Sequence, residues 1–170
     1  MLPIILDGSK VSAGLAGEGQ GFARRLKLMK AGGVDEPVTF SGRLPTPEEL
    51  AQLQILFIAG LDAPTSRTLA TAARQAGVVV NVEDVPELCD FHVPAQIRRG
   101  DLLLAISTAG RSPALSRALR EHLETRFGAE WEGRLEEIAA LRQQWRAAGV
   151  APDEVSLRTR ALLTERGWLV

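Results

Sequence analysis

A chain of 170 residues, 45% hydrophobic and 24% charged, suits one globular domain with a small appendage and is long enough to bury a real core. Its 20 basic and 21 acidic residues leave a net charge of −1, so no global field favours nucleic acid or a membrane surface. Aromatic content of 5%, with no tyrosine, argues further against a base-stacking platform. The single cysteine, Cys89, rules out an internal disulfide framework and fits a reducing compartment, the cytoplasm. No apolar run approaches the length of a membrane span. The start MLPIILDGSK lacks the basic region and the apolar length of a signal peptide.

Residues 2–6 read as a short edge strand that ends in a turn at Asp7-Gly8. Residues 10–21 hold a first strand and a glycine turn. Gly17-Glu18-Gly19 supplies the first two glycines of G-x-G-x-x-G, which bring backbone amides close to a pyrophosphate. Phe22 stands where the third small residue belongs. Taken alone, the glycines fit a flexible loop equally well. Residues 22–31 have helical spacing, with Phe22, Leu26 and Met29 on one face and Gly32-Gly33 as a cap. Residues 37–41 read as the second strand. NAD enzymes of this topology often carry an acid at its end, where this chain has Ser41 and Gly42. A lone Arg43 makes no basic 2′-phosphate pocket, so NAD is favoured over NADP. Thr46-Pro47-Glu48-Glu49 is a helix start. Residues 54–59 form a buried strand and residues 63–76 an amphipathic helix.

Two further apolar runs, 78–82 and 102–106, have the length of buried strands. In a parallel sheet the crevice at the carboxyl ends of strands binds ligands, so Asp84, Ser107 and Thr108 are expected on that edge. Asp84 is a candidate proton acceptor if burial raises its pKa, or else a cap for the turn Asp84-Val85-Pro86. Asn81 serves a cofactor or the backbone, and Glu83 is expected outward and solvated. Ser107 and Thr108 suit a bound carboxylate at a helix start, or simple turn chemistry. Arg98, Arg99, Arg111, Arg117 and Arg120 are candidate clamps for carboxylates, each of them balanced by a plain surface role. His92, between Phe91 and Val93, reads as a packed residue, and His122 as exposed. Cys89, Asp90 and His92 do not have zinc spacing, so no metal site is expected. Ser112 caps a helix over 114–127 with Leu115, Leu119 and Leu123 on one face. Helices over 130–148 and 152–166 follow, with Trp131 and Trp145 in the first. This helical tail is too small for a core of its own; it packs on the sheet part or pairs with another copy.

The stretch 78–120 resembles the precorrin-2 dehydrogenase family, the dehydrogenase (and sometimes ferrochelatase) module of sirohaem synthases. The family pattern N-V-x-D-x-P-x-x-x-x-F-x-x-P stands here as Asn81, Val82, Asp84, Pro86, Phe91 and Pro94. The following S-[ST]-x-G-x-S-P-x-L-[AS]-R-x-[LI]-R stands as Ser107, Thr108, Gly110, Ser112, Pro113, Leu115, Ser116, Arg117, Leu119 and Arg120. Leu2-Pro3-Ile4 and Arg24-Arg25 match further positions. The resemblance implies an α/β fold: a Rossmann-like parallel sheet over 1–108, a helical dimerisation segment over 109–148 and a helical tail over 149–170. It implies NAD-dependent oxidation of precorrin-2 to sirohydrochlorin by a homodimer, with Asp84 as general base. Gly17, Gly19, Gln20, Gly21, Ser41, Gly42 and Asn81 would contact the cofactor. Ser107, Thr108, Arg111, Arg117 and Arg120 would contact the tetrapyrrole. In bifunctional relatives Fe2+ or Co2+ is a substrate for insertion at the same aspartate.

The glycine loop departs from the pattern. Gly17-Glu18-Gly19-Gln20-Gly21-Phe22 stands where the family has G-G-G-x-V-A, with a bulky Phe22 against helix–sheet packing and a negative Glu18 near the expected pyrophosphate. Two readings therefore stay open. A tight turn with free amides supports the dehydrogenase. A loop filled by Phe22 or Glu18 supports a tetrapyrrole carrier or metal inserter with a decayed dinucleotide site.

Overall fold

Strands without polar side chains must be covered on both faces, and this sequence provides two of them. AGLAG and ILFIA become β1 (Ala13–Gly17) and β3 (Ile55–Ala59), buried along their whole length. They form the centre of a parallel four-stranded sheet in the order β2-β1-β3-β4, flanked by β2 (Val38–Phe40) and β4 (Val79–Val82). The structure, a computed structural model, describes residues 1–169. Alternation along β3 sends Leu56 and Ile58 to one core and Ile55 and Phe57 to the other. The first core is closed by α2 (Pro47–Leu50) and α3 (Ala63–Gln75), through Leu50, Leu69, Ala70 and Ala73. The second is closed by α1 (Gly19–Ala31), through Met29 with Phe22 and Leu26 beside it. The architecture is α/β, as expected from the sequence.

Local signals set the helix starts. Thr46 forms a capping box with Glu49 at α2. Asp62 accepts the Thr65 amide at 2.7 Å to cap α3. Among the described residues, no helix is long and apolar enough to cross a membrane.

β4 is an edge strand, and the chain that follows it folds back to cover its open side. The Asp90 amide donates to the Val80 carbonyl at 2.8 Å, and the Val80 amide donates to Asp90 Oδ2 at 2.9 Å. The Val82 amide donates to Cys89 Sγ at 3.3 Å, and Asn81 Nδ2 donates to the Phe91 carbonyl at 2.9 Å. Arg74 fixes Asp90 from α3 at 2.9 Å. Asp90→Ala leaves the Val80 amide without its acceptor and Arg74 without its partner. It is expected to cost about 1–3 kcal/mol of unfolding free energy, read by urea denaturation. A loss under about 0.5 kcal/mol would mean that the tie is dispensable.

The chain divides into two compact units, Met1–Val93 and Pro94–Val170. The second begins with β5 (Ala95–Arg99) and β6 (Leu102–Ile106), an antiparallel two-stranded ribbon. Three helices follow: α4 (Pro113–Arg126), α5 (Glu130–Ala147) and α6 (Pro152–Glu165). Ile97, Trp131 and Val155 are buried within it. The Trp131 indole donates to the Arg126 carbonyl at 3.2 Å, and the Arg134 guanidinium lies over both Trp131 and Trp168, 5.1 and 5.2 Å from the ring centroids.

Two expectations change here. Residues 102–106 do not extend the parallel sheet, which ends at β4 within residues 1–93, not near 108. A parallel strand needs a long crossover, usually helical, whereas β5 and β6 are joined only by Gly100-Asp101, which dictates an antiparallel hairpin. Residues 2–6 form no strand. They run exposed, with Leu2 83% and Ile5 77% accessible, and lead into a single 3-10 turn at Gly8–Lys10.

Candidate functional site: a cleft at the glycine turn

In the order β2-β1-β3-β4 the chain leaves β1 towards β2 and then returns to the other side for β3. The carboxyl ends of β1 and β3 are thus the point where the winding switches sides, the usual ligand crevice of such sheets. β1 ends in a glycine and β3 is followed by one. Gly17, at φ 136, packs so tightly that a Cβ would run into the Ala59 carbonyl oxygen. Gly60, at φ 73, is pressed in the same way against the Glu18 backbone. The Glu18 amide donates to the Ala59 carbonyl at 3.1 Å, pinning the turn to β3. Gly19 then opens α1 at φ 69, with nothing within 4 Å of where its side chain would project.

This is a tight turn, not a loop filled by Phe22 or Glu18. Phe22 is half-buried against the core beneath α1. Glu18 lines the cleft but stays exposed and makes no side-chain cap on α1. The first-turn amides of α1 have no partner within the helix and suit an anion. Gly42, at φ 73, also has nothing within 4 Å of where a Cβ would project. Together with Gly17, Glu18, Arg43, Leu44 and Leu61, Gly42 lines a cleft of about 230 Å3. These residues fit a dinucleotide: glycines where backbone must approach phosphate, and an open wall at the end of β2. Ser41 and Gln20 are exposed beside them.

Arg43 and Glu49 form a forked pair in this wall. Arg43 Nη1 donates to Glu49 Oε2 at 2.8 Å and Nη2 to Oε1 at 2.7 Å, and the Thr46 amide donates to Oε2 at 2.8 Å. The Arg43 hydrogen bonds, followed by that of Thr46, pull the Glu49 carboxyl down to about 2. A lowered folded-state pKa means that the pair is intact above the ordinary carboxylate range and loosens only as pH falls through about 2. The charge of this wall is therefore constant at neutral pH.

Gly21 is buried, and a Cβ on it would overlap the Glu83 carboxylate. Glu83 is not outward and solvated as expected. Its side chain is 14% exposed and lies 3.3 Å from Arg24 and 3.9 Å from Arg25 of α1. The two arginines draw the carboxylate under the helix. Asn81, two residues earlier on the same face of β4, is 4% exposed and donates to the Phe91 carbonyl and Cys89 Sγ. It holds the loop that leaves β4 and does not line the cleft.

Asp84 follows β4 on the same carboxyl edge as the glycine turn. Its φ is 59, a left-handed conformation that aspartate tolerates and that concentrates at functional positions. The side chain is exposed and makes no hydrogen bond or ion pair among the described residues, so it does not cap the following turn.

The second unit holds the other expected residues. Ala109 and Gly110 turn at φ 56 and 75 ahead of α4. Thr108 Oγ1 accepts the Ser112 amide at 3.2 Å and lies 3.0 Å from Ser116 Oγ, while Ser107 Oγ accepts the Ala109 amide at 3.2 Å. These hydroxyls build the turn that starts the helix. Arg117 and Arg120 pair along α4 with Glu121 and Glu124, at 2.8 and 2.7 Å, one hydrogen bond each within the helix. Arg111 is exposed without an ion pair among the described residues. His92 is exposed, not packed, because its neighbours Phe91 and Val93 turn inward, Phe91 edge-on to Phe57 at 5.3 Å. His122 is exposed. Among the described residues, no cluster of three or more His, Cys, Asp or Glu side chains could hold a metal ion.

Comparison with known proteins agrees with this geometry. An NAD(P)-binding family model matches residues 11–95, half of the chain, and the model described as sirohaem biosynthesis protein central matches residues 99–126. Siroheme synthase of Methylococcus capsulatus is 34% identical over 166 residues, 86% of this chain and 35% of that protein. Siroheme synthase of Nitrosomonas europaea is 37% identical over 103 residues, 61% of this chain and 22% of that protein. The chain thus spans about a third or less of the length of these curated relatives. A solved structure of SirC, precorrin-2 dehydrogenase, has the same fold: TM-score 0.70 and 22% identity, covering 97% of this chain and 88% of that one. The chain belongs to the NAD(P)-binding family whose model spans residues 11–95, followed by a sirohaem biosynthesis central segment.

Proposed function

We propose that this chain oxidises precorrin-2 to sirohydrochlorin with a nicotinamide dinucleotide. The observation that carries the reading is the tight glycine turn opening onto a cleft on the sheet edge that also carries Asp84. The bound nicotinamide supplies the acceptor for the hydride that the macrocycle loses. Gly17, Gly19, Gln20 and Gly21 bring the α1 amides to the pyrophosphate, and Ser41 and Gly42 border the adenosine ribose. Asp84 takes the proton that leaves the macrocycle with the hydride. Its left-handed backbone, with no partner among the described residues, leaves the carboxylate available for that task. Asn81 acts on the cofactor side by holding the loop that carries Asp84. In the second unit, Ser107, Thr108 and Arg111 are the groups for substrate carboxylates. Arg117 and Arg120 serve the same charge field from within their helix pairs.

The chain works as a homodimer. Leu115 and Leu119, one turn apart on α4, are 51% and 38% exposed, and β6 is only half-buried. A second copy would cover this apolar face. Sedimentation is expected to give twice the 18.3 kDa chain mass. A monomer at micromolar concentration would contradict it.

One feature favours a second reading, tetrapyrrole carriage or metal insertion without dehydrogenation: the Glu83 carboxylate sits against Gly21, near where the pyrophosphate would lie. Its pairing with Arg24 and Arg25 offsets that charge. The experiment that separates the readings is calorimetric titration of the purified chain with NAD and NADP. Saturable binding is expected. Binding of neither at millimolar concentration would leave the second reading, to be tested with cobalt and sirohydrochlorin.

A further inference from the structure

A carboxylate taken out of water needs a cation beside it. Glu83 has two, both on the helix that opens at the glycine turn. Arg24 Nη2 donates to Glu83 Oε1 at 3.3 Å, from a side chain that is mostly exposed. Arg25 Nε lies 3.9 Å from the same oxygen, too far for a hydrogen bond, and is shielded from solvent without another partner among the described residues. The Arg25 guanidinium also stands 5.9 Å from the ring centroid of Phe57, a core residue of β3. The other Glu83 oxygen, Oε2, fills the space that a side chain at Gly21 would take. The carboxylate is thus wedged against the first turn of α1 and held by cations from the next.

The backbone of the same residue is fixed as well. The Glu83 amide donates to the Ile58 carbonyl at 2.9 Å, which carries the β3–β4 ladder one residue beyond β4. Asp84 follows directly, at φ 59, with no side-chain partner among the described residues. Glu83 therefore joins the helix start that faces the dinucleotide to the strand end that carries the proton acceptor. Glu18, the exposed acid that lines the cleft, takes no part in this tie. It makes no side-chain cap on α1 and pairs with no cation among the described residues.

We infer that Glu83 is a positioning residue: through Arg24 and Arg25 it locks α1 to the end of β4, and so fixes where Asp84 stands relative to the dinucleotide. The inference rests on the proposed dehydrogenation. Hydride and proton leave one macrocycle, so their two acceptors must keep one spacing while it is bound. A carboxylate this close to a pyrophosphate site weakens binding by like-charge repulsion. Removing the charge therefore has opposite effects on the two quantities: binding holds or tightens while turnover falls. Loss of packing alone would not separate them.

The test is steady-state turnover of precorrin-2 by the full chain at saturating dinucleotide, with dinucleotide affinity from calorimetry and folding from thermal melting. Glu83→Gln keeps the shape against Gly21 and loses the charge. It is expected to lower kcat about tenfold or more, with dinucleotide Kd unchanged or lower. Arg25→Met should lower kcat in the same way, and Arg25→Lys, which keeps a cation for Glu83, should recover most of the loss. The double variant Glu83→Gln, Arg25→Met should be no slower than the slower single variant, because both changes break one tie. If the double variant does not fold, Glu83→Gln decides alone. A kcat in Glu83→Gln within about twofold of the wild type, a kcat loss matched by weaker dinucleotide binding, or additive losses in the double variant would overturn the inference and leave the dehydrogenase reading standing. A wild-type chain that does not turn over precorrin-2 would overturn both.

Discussion

Asp84→Asn is expected to slow oxidation of precorrin-2 by about 10²–10⁴-fold, the usual contribution of a positioned general base. Dinucleotide affinity should stay within about twofold of the wild type, because Asp84 does not line the cleft at the glycine turn. Asparagine is the informative replacement. It tolerates the left-handed backbone at φ 59, so the turn after β4 keeps its shape while the proton acceptor is lost. Asp84→Ala adds about 1 kcal/mol of backbone strain to the same chemical loss. Unchanged turnover in Asp84→Asn would remove Asp84 from the chemistry and leave its strained backbone as a feature of the turn alone.

Gly17→Ala is expected to destabilise the chain by about 2–5 kcal/mol, combining backbone strain with overpacking at a site that cannot relax. At φ 136 the added Cβ would meet the Ala59 carbonyl oxygen. That oxygen cannot retreat without losing the bond from the Glu18 amide and the β1–β3 register. Gly19→Ala provides the contrast. Its Cβ would project into open space, so the fold should lose only about 1 kcal/mol. Dinucleotide affinity should nevertheless fall by tenfold or more, because that methyl group fills the approach to the α1 amides. Similar stability losses in the two variants, or unchanged affinity in Gly19→Ala, would mean that the turn serves packing alone.

Much of this fold was legible because its signals are local. Ser112-Pro113, Thr46-Pro47 and Asp62 with Pro64 mark helix starts through side chains that reach three residues along. The unbroken apolar runs of β1 and β3 require cover on both faces. What escaped the sequence depends on distant partners. Gln96, Arg98 and Arg99 hide β5, whose identity comes from its pairing with β6 across a short turn. The Leu2–Leu6 stretch is apolar but has no strand beside it, and composition cannot report a missing neighbour. Glu83 meets Arg24 across 59 residues of sequence. Cys89 and Asp90 seal the edge of β4, a role that shows only once the chain folds back on the strand.

The most direct measurement is anaerobic turnover of purified chain with precorrin-2 and NADP, and in parallel NAD, following reduced nicotinamide and sirohydrochlorin together. The account predicts that the two products rise in equal amounts. Sirohydrochlorin formed without matching nicotinamide reduction, or no sirohydrochlorin at saturating dinucleotide, would contradict it.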